Sequence, residues 1–332
     1  MNRISRAYDG FGAWIAGAEH ATRSLSLLRI VYALAMLAFL LPSFADRSML
    51  WGRASTWIDP EMKRNRWIFF DTLFQKGSPL LFDLAYLALI LLVLLFLAGV
   101  RTRIVTPVLL LFWVSLQSNN TYVNNGGDTL MRITLLFLVF ANLGEHYSFD
   151  AWWRRRRARD GAARLPRSAP RFPLARTALH NTALLLCMAQ IVFVYTVSGV
   201  YKLMGETWLD GTALYYALTL ADFRVYPLVN ELLWQSSPAI MAATWVSTVA
   251  QLGFLPLVLW RRTRHLVVLV LLGMHACIAL LLGLVPFSLA MIALDLLFVS
   301  DAAWSRLARC CADVWERVLA PWRRASPTAA EQ

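Results

Sequence analysis

The chain has 332 residues, of which 58% are hydrophobic and 16% charged, and a formal net charge of +12. A soluble globular protein carries about 25% charged residues, so this composition excludes an ordinary soluble enzyme. The basic residues lie in short links between long apolar runs, not on one folded face, which excludes a nucleic-acid-binding protein and leaves a polytopic membrane protein.

A helix needs about 20 apolar residues to cross the hydrocarbon core, and fewer when it is packed among neighbours. Residues 1–24 read as an interfacial N-terminal segment without a secretory cleavage site. Eight apolar runs follow at 25–44, 79–100, 104–118, 129–143, 178–203, 239–260, 265–283 and 285–300. The turn at Leu284-Val285-Pro286 parts the last two, because proline lacks the N–H that would continue a helix. Residues 25–300 are thus expected to form one all-α transmembrane bundle of about eight spans. Between the first two spans, loop 45–78 mixes Arg47, Arg53, Lys63, Arg64, Arg66 and Lys76 with acids and holds Trp51, Trp57 and Trp67, which predicts a folded cap on the outer surface. Residues 204–238 form a second outer loop with a helix over 212–220. Beyond the last span, Trp304, Leu307, Cys311, Val314, Val318 and Leu319 recur at helical spacing opposite arginines, the pattern of an amphipathic helix over 301–324 on the inner leaflet. Residues 325–332 read as a disordered tail.

Lys and Arg collect in connections that stay cytoplasmic. Arg101 and Arg103 fill one such link, nine arginines between Arg154 and Arg176 another, and Arg261, Arg262 and Arg264 a third, whereas the link 119–128 has none. Both termini are therefore expected in the cytoplasm, with the chain multi-pass in the cell membrane. Four cysteines and the absence of Cys/His spacing predict neither a disulfide framework nor a metal site.

A charge at mid-bilayer costs about 2.5–3.5 kcal/mol, so each one within a span needs a partner. Arg29 of the first span and Asp295 of the last lie at matched depth with opposite sign, which predicts a structural ion pair. At the outer end, Asn119-Asn120-Thr121-Tyr122-Val123-Asn124-Asn125-Gly126-Gly127-Asp128 leads into the fourth span, with Arg132 one turn later. This loop reads either as a helix cap with a tight turn, Asp128 capping and pairing with Arg132, or as part of a binding site. The fifth span brings Lys202 to the same end after Tyr195, Ser198 and Tyr201, and Gln190, Gln251 and His275 lie nearer the midplane. Lys202 is one of only three lysines among 32 basic residues. It reads either as a snorkelling anchor or as a base, since lysine can lose its proton and arginine cannot.

The segment Ser198-Gly199-Val200-Tyr201-Lys202-Leu203, followed by Trp208, Asp210, Gly211 and Tyr215, resembles the transmembrane half of vitamin K-dependent gamma-carboxylase, which reads Ala-Gly-Val-Lys-Lys-Leu before a Trp and a Glu-Gly. His275 with Phe287-Ser288, His146-Tyr147-Ser148-Phe149-Asp150 and Arg29 also match in order, so the likeness runs over residues 22 to 300. The chain is identified as similar to the HTTM group, bacterial membrane proteins related to that carboxylase, which includes the sporulation-delaying protein B group. The resemblance implies Lys202 as the catalytic base. It also implies a substrate and cofactor pocket around Asn124, Asn125, Gly126, Asp128, Arg132, Tyr201, Trp208 and His275, and a reduced quinone of vitamin K type, with O2 and CO2 as co-substrates. Its partners would be the bilayer, a secreted peptide or protein as substrate, and a soluble protein in place of the carboxylase's lumenal domain. The sequence departs from the carboxylase at Gly126, where a histidine assists oxygen chemistry there, and at Tyr201, where the first lysine of the pair stands. A non-catalytic accessory protein for maturation or export of a peptide toxin is the alternative, and a transporter a third.

Overall fold

The computed structural model describes residues 3–55, 73–74, 77–159 and 172–324, and among these the chain is all-helical. The expectations for Trp57, Trp67, Lys63, Arg64, Arg66 and Lys76, for Arg164, Arg167 and Arg171 of the arginine-rich link, and for the 325–332 tail concern residues outside those described.

The first helix, α1 (Arg3–Gly17), precedes α2 (Thr22–Leu40), which continues through a 3-10 turn at Pro42–Phe44. Their junction is held by Asn181, whose Nδ2 donates to the carbonyls of Trp14, Ile15 and Ala18 at 3.2, 2.9 and 2.8 Å. A helix end leaves its last carbonyls without partners, and a carboxamide from a neighbouring helix satisfies them here. α2 is the central helix, with Leu25, Leu28, Tyr32, Met36 and Leu40 all buried.

The next helix, α3 (Pro79–Ala98), begins at the Ser78 cap and ends at Gly99 with φ +70°. It buries Phe82, Tyr86, Leu89, Val93 and Phe96, and exposes Leu80, Leu84, Leu87, Leu91 and Leu94 at the same helical spacing. A helix of a soluble protein is apolar on one face only. Apolar residues on both faces mean that the outer one meets lipid. The chain is a membrane protein.

Further on, α4 (Thr102–Ser118) and α5 (Gly126–Leu138) form a hairpin, and α6 (Phe149–Arg159) carries the first of the clustered arginines. α7 (Pro173–Leu203) is 31 residues long and crosses the bundle from the arginine-rich end to the opposite, distal end. After short helices at Glu206–Leu209 and Ala213–Thr219 come α8 (Pro227–Trp234), α9 (Ser237–Leu252), α10 (Phe254–Leu259), α11 (Arg264–Leu282), α12 (Val285–Asp295) and α13 (Asp301–Arg324).

Helices occupy all eight apolar runs, but not as eight full-length spans. Among the described residues, four are long and apolar enough to cross a membrane by themselves: Thr22–Phe44, Pro79–Ala98, Pro173–Leu203 and Arg264–Leu282. The sixth run, 239–260, breaks at Gly253 into α9 and α10, where Pro256 has no N–H to return to the preceding turn. The fourth and eighth give helices of only 13 and 11 residues. Val285–Phe298 and the start of α13 meet at a bend of 106°.

The expected Arg29–Asp295 ion pair does not form. Arg29 is fully buried and donates to backbone carbonyls: Nε to Leu143 at 3.2 Å, Nη2 to Tyr147 at 2.6 Å, and Nη1 to Phe96 and Leu97. Phe96 and Leu97 close α3, whose C-terminal carbonyls carry the negative end of the helix dipole, so the guanidinium is neutralised by oriented peptides instead of a carboxylate. Glycine is needed at position 99 because a Cβ there would meet Arg29 Cζ at 2.9 Å. Asp295 closes the short α12 and faces α7, where it accepts from Tyr195. Depth counted from a span end does not fix the direction a side chain points. α13 docks at this end of α2, where Arg23 Nη1 donates to Ser305 at 2.7 Å and Trp304 Nε1 to Ser24 at 2.8 Å, and α1 packs beside it on α7.

Candidate functional site

At the distal end, α4 and α5 are joined by the asparagine-rich loop. Asn125 is the N-cap of α5: its Oδ1 accepts from Gly127 N at 2.7 Å and from Asp128 N at 3.3 Å, while Asp128 Oδ2 accepts from Asn125 N at 2.8 Å. This reciprocal capping box satisfies donors that a helix start leaves open. Asp128 spends one oxygen on it and makes no ion pair with Arg132, so the predicted i, i+4 pair is replaced by the cap. Gly127 lets α12 approach: a Cβ there would lie 2.8 Å from Phe287 Cα, whereas one at Gly126 would have only Phe287 Cε2 at 3.9 Å.

Around this junction several buried polar atoms have no hydrogen-bond partner. They are Gln117 Oε1 and Nε2, Asn124 Oδ1, Asp128 Oδ1 and Ser288 Oγ. Asn124 Nδ2 donates to the Gln117 carbonyl at 3.1 Å, which ties the loop to the last turn of α4. Ser288 follows the Phe287 that packs on Gly127. An unmade hydrogen bond on a buried group costs about 1–3 kcal/mol, so a cluster of such atoms is a feature that folding alone does not favour.

The second half of the site is the end of α7. Gly199 brings α7 against α9, since a Cβ there would meet Leu252 N and Cα at 2.9 and 2.8 Å. Such small-residue crossings let membrane helices touch backbone to backbone. One turn later Lys202 Nζ lies 3.5 Å from Ser247 Oγ of α9 and 4.2 Å from the centroid of the Trp208 ring. Among the described residues no carboxylate is within ion-pair range of Lys202, Glu206 included. Tyr201 points outward and is 70% exposed.

Between the two halves stand Phe287 and His275. The His275 ring meets Phe287 edge-on at 5.8 Å, and Lys202 is within its electrostatic reach. The Tyr195 hydroxyl lies 2.9 Å from both oxygens of Asp295 and 3.0 Å from His275 Nε2. A phenol has one proton. Given to Asp295, it leaves the oxygen to accept from His275 Nε2–H, and the buried, unpartnered Nδ1 is then an acceptor.

The structure thus brings Asn124, Asn125, Gly126, Asp128, His275, Lys202 and Trp208 to one end in two clusters linked by Phe287. Gln190 and Gln251 do not join them: Gln190 bonds Thr134 and the Leu130 carbonyl, and Gln251 bonds Ser198, each cross-linking two helices. Sequence reasoning passed over Gln117, whose only signal was its polarity in an apolar helix, and took Ser288 only as part of the Phe287-Ser288 match. It also split Tyr195 from Asp295, a hundred residues apart. Among the described residues no group of three or more His, Cys, Asp or Glu is placed to hold a metal ion.

The HTTM domain family profile matches residues 19–304. A stretch of 119 residues is 29% identical to the uncharacterized protein YitO of Bacillus subtilis (strain 168), and it covers 33% of this chain and 37% of that one. No solved structure matches the chain.

Proposed function

The chain belongs to the HTTM domain family, a carboxylase-related family of membrane proteins, and we propose that it is an integral-membrane enzyme that modifies a secreted peptide or protein at the distal end of its bundle, with Lys202 as general base and a reduced quinone as cofactor. The observation that carries this reading is the chemistry of the distal cluster. A quinol presents hydroxyl donors on an apolar ring, and the residues present fit it: Asn124 Oδ1, Asp128 Oδ1 and Gln117 Oε1 are buried acceptors without donors, beside the Phe287 ring. When bound, such a group supplies the reducing equivalents for reaction with oxygen.

The chain's own residues would do the rest. Asn124, Asp128 and Gln117 would hold the hydroxyl-bearing ring by hydrogen bonds, and Asn125 would keep the loop in its capped conformation. His275 would offer Nδ1 as a further acceptor, its other nitrogen engaged by Tyr195. Lys202, held by Ser247 and the Trp208 face without a carboxylate partner, keeps an amine that can take up and release a proton. Tyr201, pointing away, and Arg132, outside the capping network, would have no direct part. A compartment on the outer side of the bacterial inner membrane, and a soluble partner that presents the peptide, complete the reading.

The test is binding of a short-chain naphthoquinol, kept reduced under anaerobic conditions, to the protein in nanodiscs, followed by quenching of tryptophan fluorescence. The paired change Gln117→Leu and Asn124→Leu should weaken binding at least tenfold, the scale of two lost hydrogen bonds of about 1 kcal/mol each, with the melting temperature lowered by no more than the loss of the one Asn124 Nδ2 bond to the Gln117 carbonyl. Equal affinity in the double variant would overturn the placement of the cofactor.

A further inference from the structure

At the arginine-rich end, a cleft of about 720 Å³ opens between the first turn of α2, the segment leading into α6, and α13. Its walls include Arg23, His146, Trp152, Arg155 and, from α13, Ala308. Among the described residues no carboxylate lines it. The nearby acids are otherwise engaged or set back: Glu145 faces Arg154 at 3.5 Å, Asp150 accepts from Arg101 N at 2.8 Å, and Asp301 opens α13. Arg23 uses one of its five N–H groups on Ser305. Arg155 makes no hydrogen bond or ion pair among the described residues. Two guanidinium groups therefore face a roomy cleft with most of their donors free and no counter-charge in its wall.

The rim of the cleft fixes its depth relative to a membrane. Tyr147, Phe149, Trp152 and Trp153 are between 42% and 55% exposed and stand side by side. Arg156 and Arg157 lie over the Trp152 and Trp153 rings at 5.4 and 5.0 Å. Exposed indole and phenol rings interleaved with arginine are what a protein presents at the level of lipid headgroups. An anion reaching this cleft at that level comes from a lipid, and guanidinium groups bind phosphate oxygens through paired, charge-assisted hydrogen bonds.

We propose that this cleft is a binding site for the phosphodiester headgroup of an anionic phospholipid, gripped by Arg23 and Arg155 with Trp152 at the level of the glycerol esters. The site is separate from the distal one and does not depend on the function proposed for it. It explains why the cleft is lined by arginine and aromatic residues together, which neither a water-filled surface groove nor a protein contact requires.

The experiment is native mass spectrometry and thermal unfolding of the delipidated, detergent-solubilised full chain. It is titrated in parallel with phosphatidylglycerol, phosphatidylcholine and inorganic phosphate. Phosphatidylglycerol should form a one-to-one adduct and raise the melting temperature, and the other two should do neither at matched concentration. Arg155→Gln should weaken the phosphatidylglycerol adduct about fivefold, the worth of one arginine near an anionic headgroup, and adding Arg23→Gln should weaken it further. Arg159→Gln, on the same helix but outside the cleft, should leave it unchanged. Because Arg23 also holds Ser305, the single Arg155→Gln change is the decisive one if the double variant unfolds. Equal binding of phosphatidylcholine, phosphate competing as well as lipid, or equal effects of Arg155→Gln and Arg159→Gln would each refute the proposal.

Discussion

Replacing Arg29 separates the two ways of neutralising its charge. In Arg29→Met the guanidinium is lost and its four carbonyls must find other donors. Phe96 keeps a bond from Gly99 N at 3.1 Å, and Leu143 keeps one from Ser26 Oγ at 3.3 Å. Leu97 and Tyr147 lose the donor described for them. Two part-buried carbonyls left open, at no more than about 1–3 kcal/mol each, give a loss of up to about 2–6 kcal/mol. Asp295→Asn, by contrast, keeps an oxygen for the Tyr195 proton and should cost about 1 kcal/mol or less. An ion pair would behave differently, because removing either partner of a buried pair costs about 3–5 kcal/mol by stranding the other. Thermal unfolding in detergent of the two single variants and the double variant decides between them. Additive effects, large for Arg29→Met and small for Asp295→Asn, are expected. Comparable single losses with no further loss in the double variant would refute the carbonyl cap.

Two further outcomes follow from the geometry. Gly127→Ala should lower stability by about 1–3 kcal/mol, the usual cost of forcing an extra methyl into a packed contact, whereas Gly126→Ala should be tolerated; equal melting temperatures would show that α12 is not held against α5 as described. Burial, and after it the Arg23 guanidinium, hold the His146 imidazole below its ordinary pKa, with Glu145 and Asp301 opposing and Arg155 adding to the effect. The unfolded chain then takes up its proton first as pH falls through about 6.5, so the stability that His146 contributes is complete above that pH and is lost below it. His146→Gln should flatten that part of the acid-side decline in melting temperature, and an unchanged slope would contradict it.

The sequence carried the fold further than the contacts. Runs such as 79–100 and 265–283 are legible because lipid-facing and core-facing residues are both apolar, and α3 and α11 begin and end within two residues of them. The run 239–260 was misread as one helix because hydropathy does not register that Gly253 and Pro256 interrupt backbone hydrogen bonding. The Phe149–Arg159 helix was hidden by its arginines, which a hydropathy reading assigns to a link. At the site, a cap through Asp128 at the start of α5 was visible because capping is local, a matter of three residues; that Asn125 is the N-cap was not. Gln117, the placement of Ser288 and the Tyr195–Asp295 contact were not visible either, because which face of a helix a lone polar residue occupies depends on the neighbours that pack against it. Arg29 and Asp295 show the same thing from the other side: both are buried, as their charge and position suggested, but each turns to a different neighbour.

The claim that this membrane protein is an enzyme rests on Lys202. The most direct measurement is mass spectrometry of a candidate secreted peptide co-expressed with it, comparing wild type with Lys202→Arg at matched protein level and melting temperature. Arginine keeps the positive charge against Trp208 and Ser247 but cannot exchange a proton near neutral pH. The account predicts a covalent mass change on the peptide with the wild-type protein and none with Lys202→Arg. A peptide modified equally by both would contradict the general base, and one unmodified by either would make the protein an accessory factor.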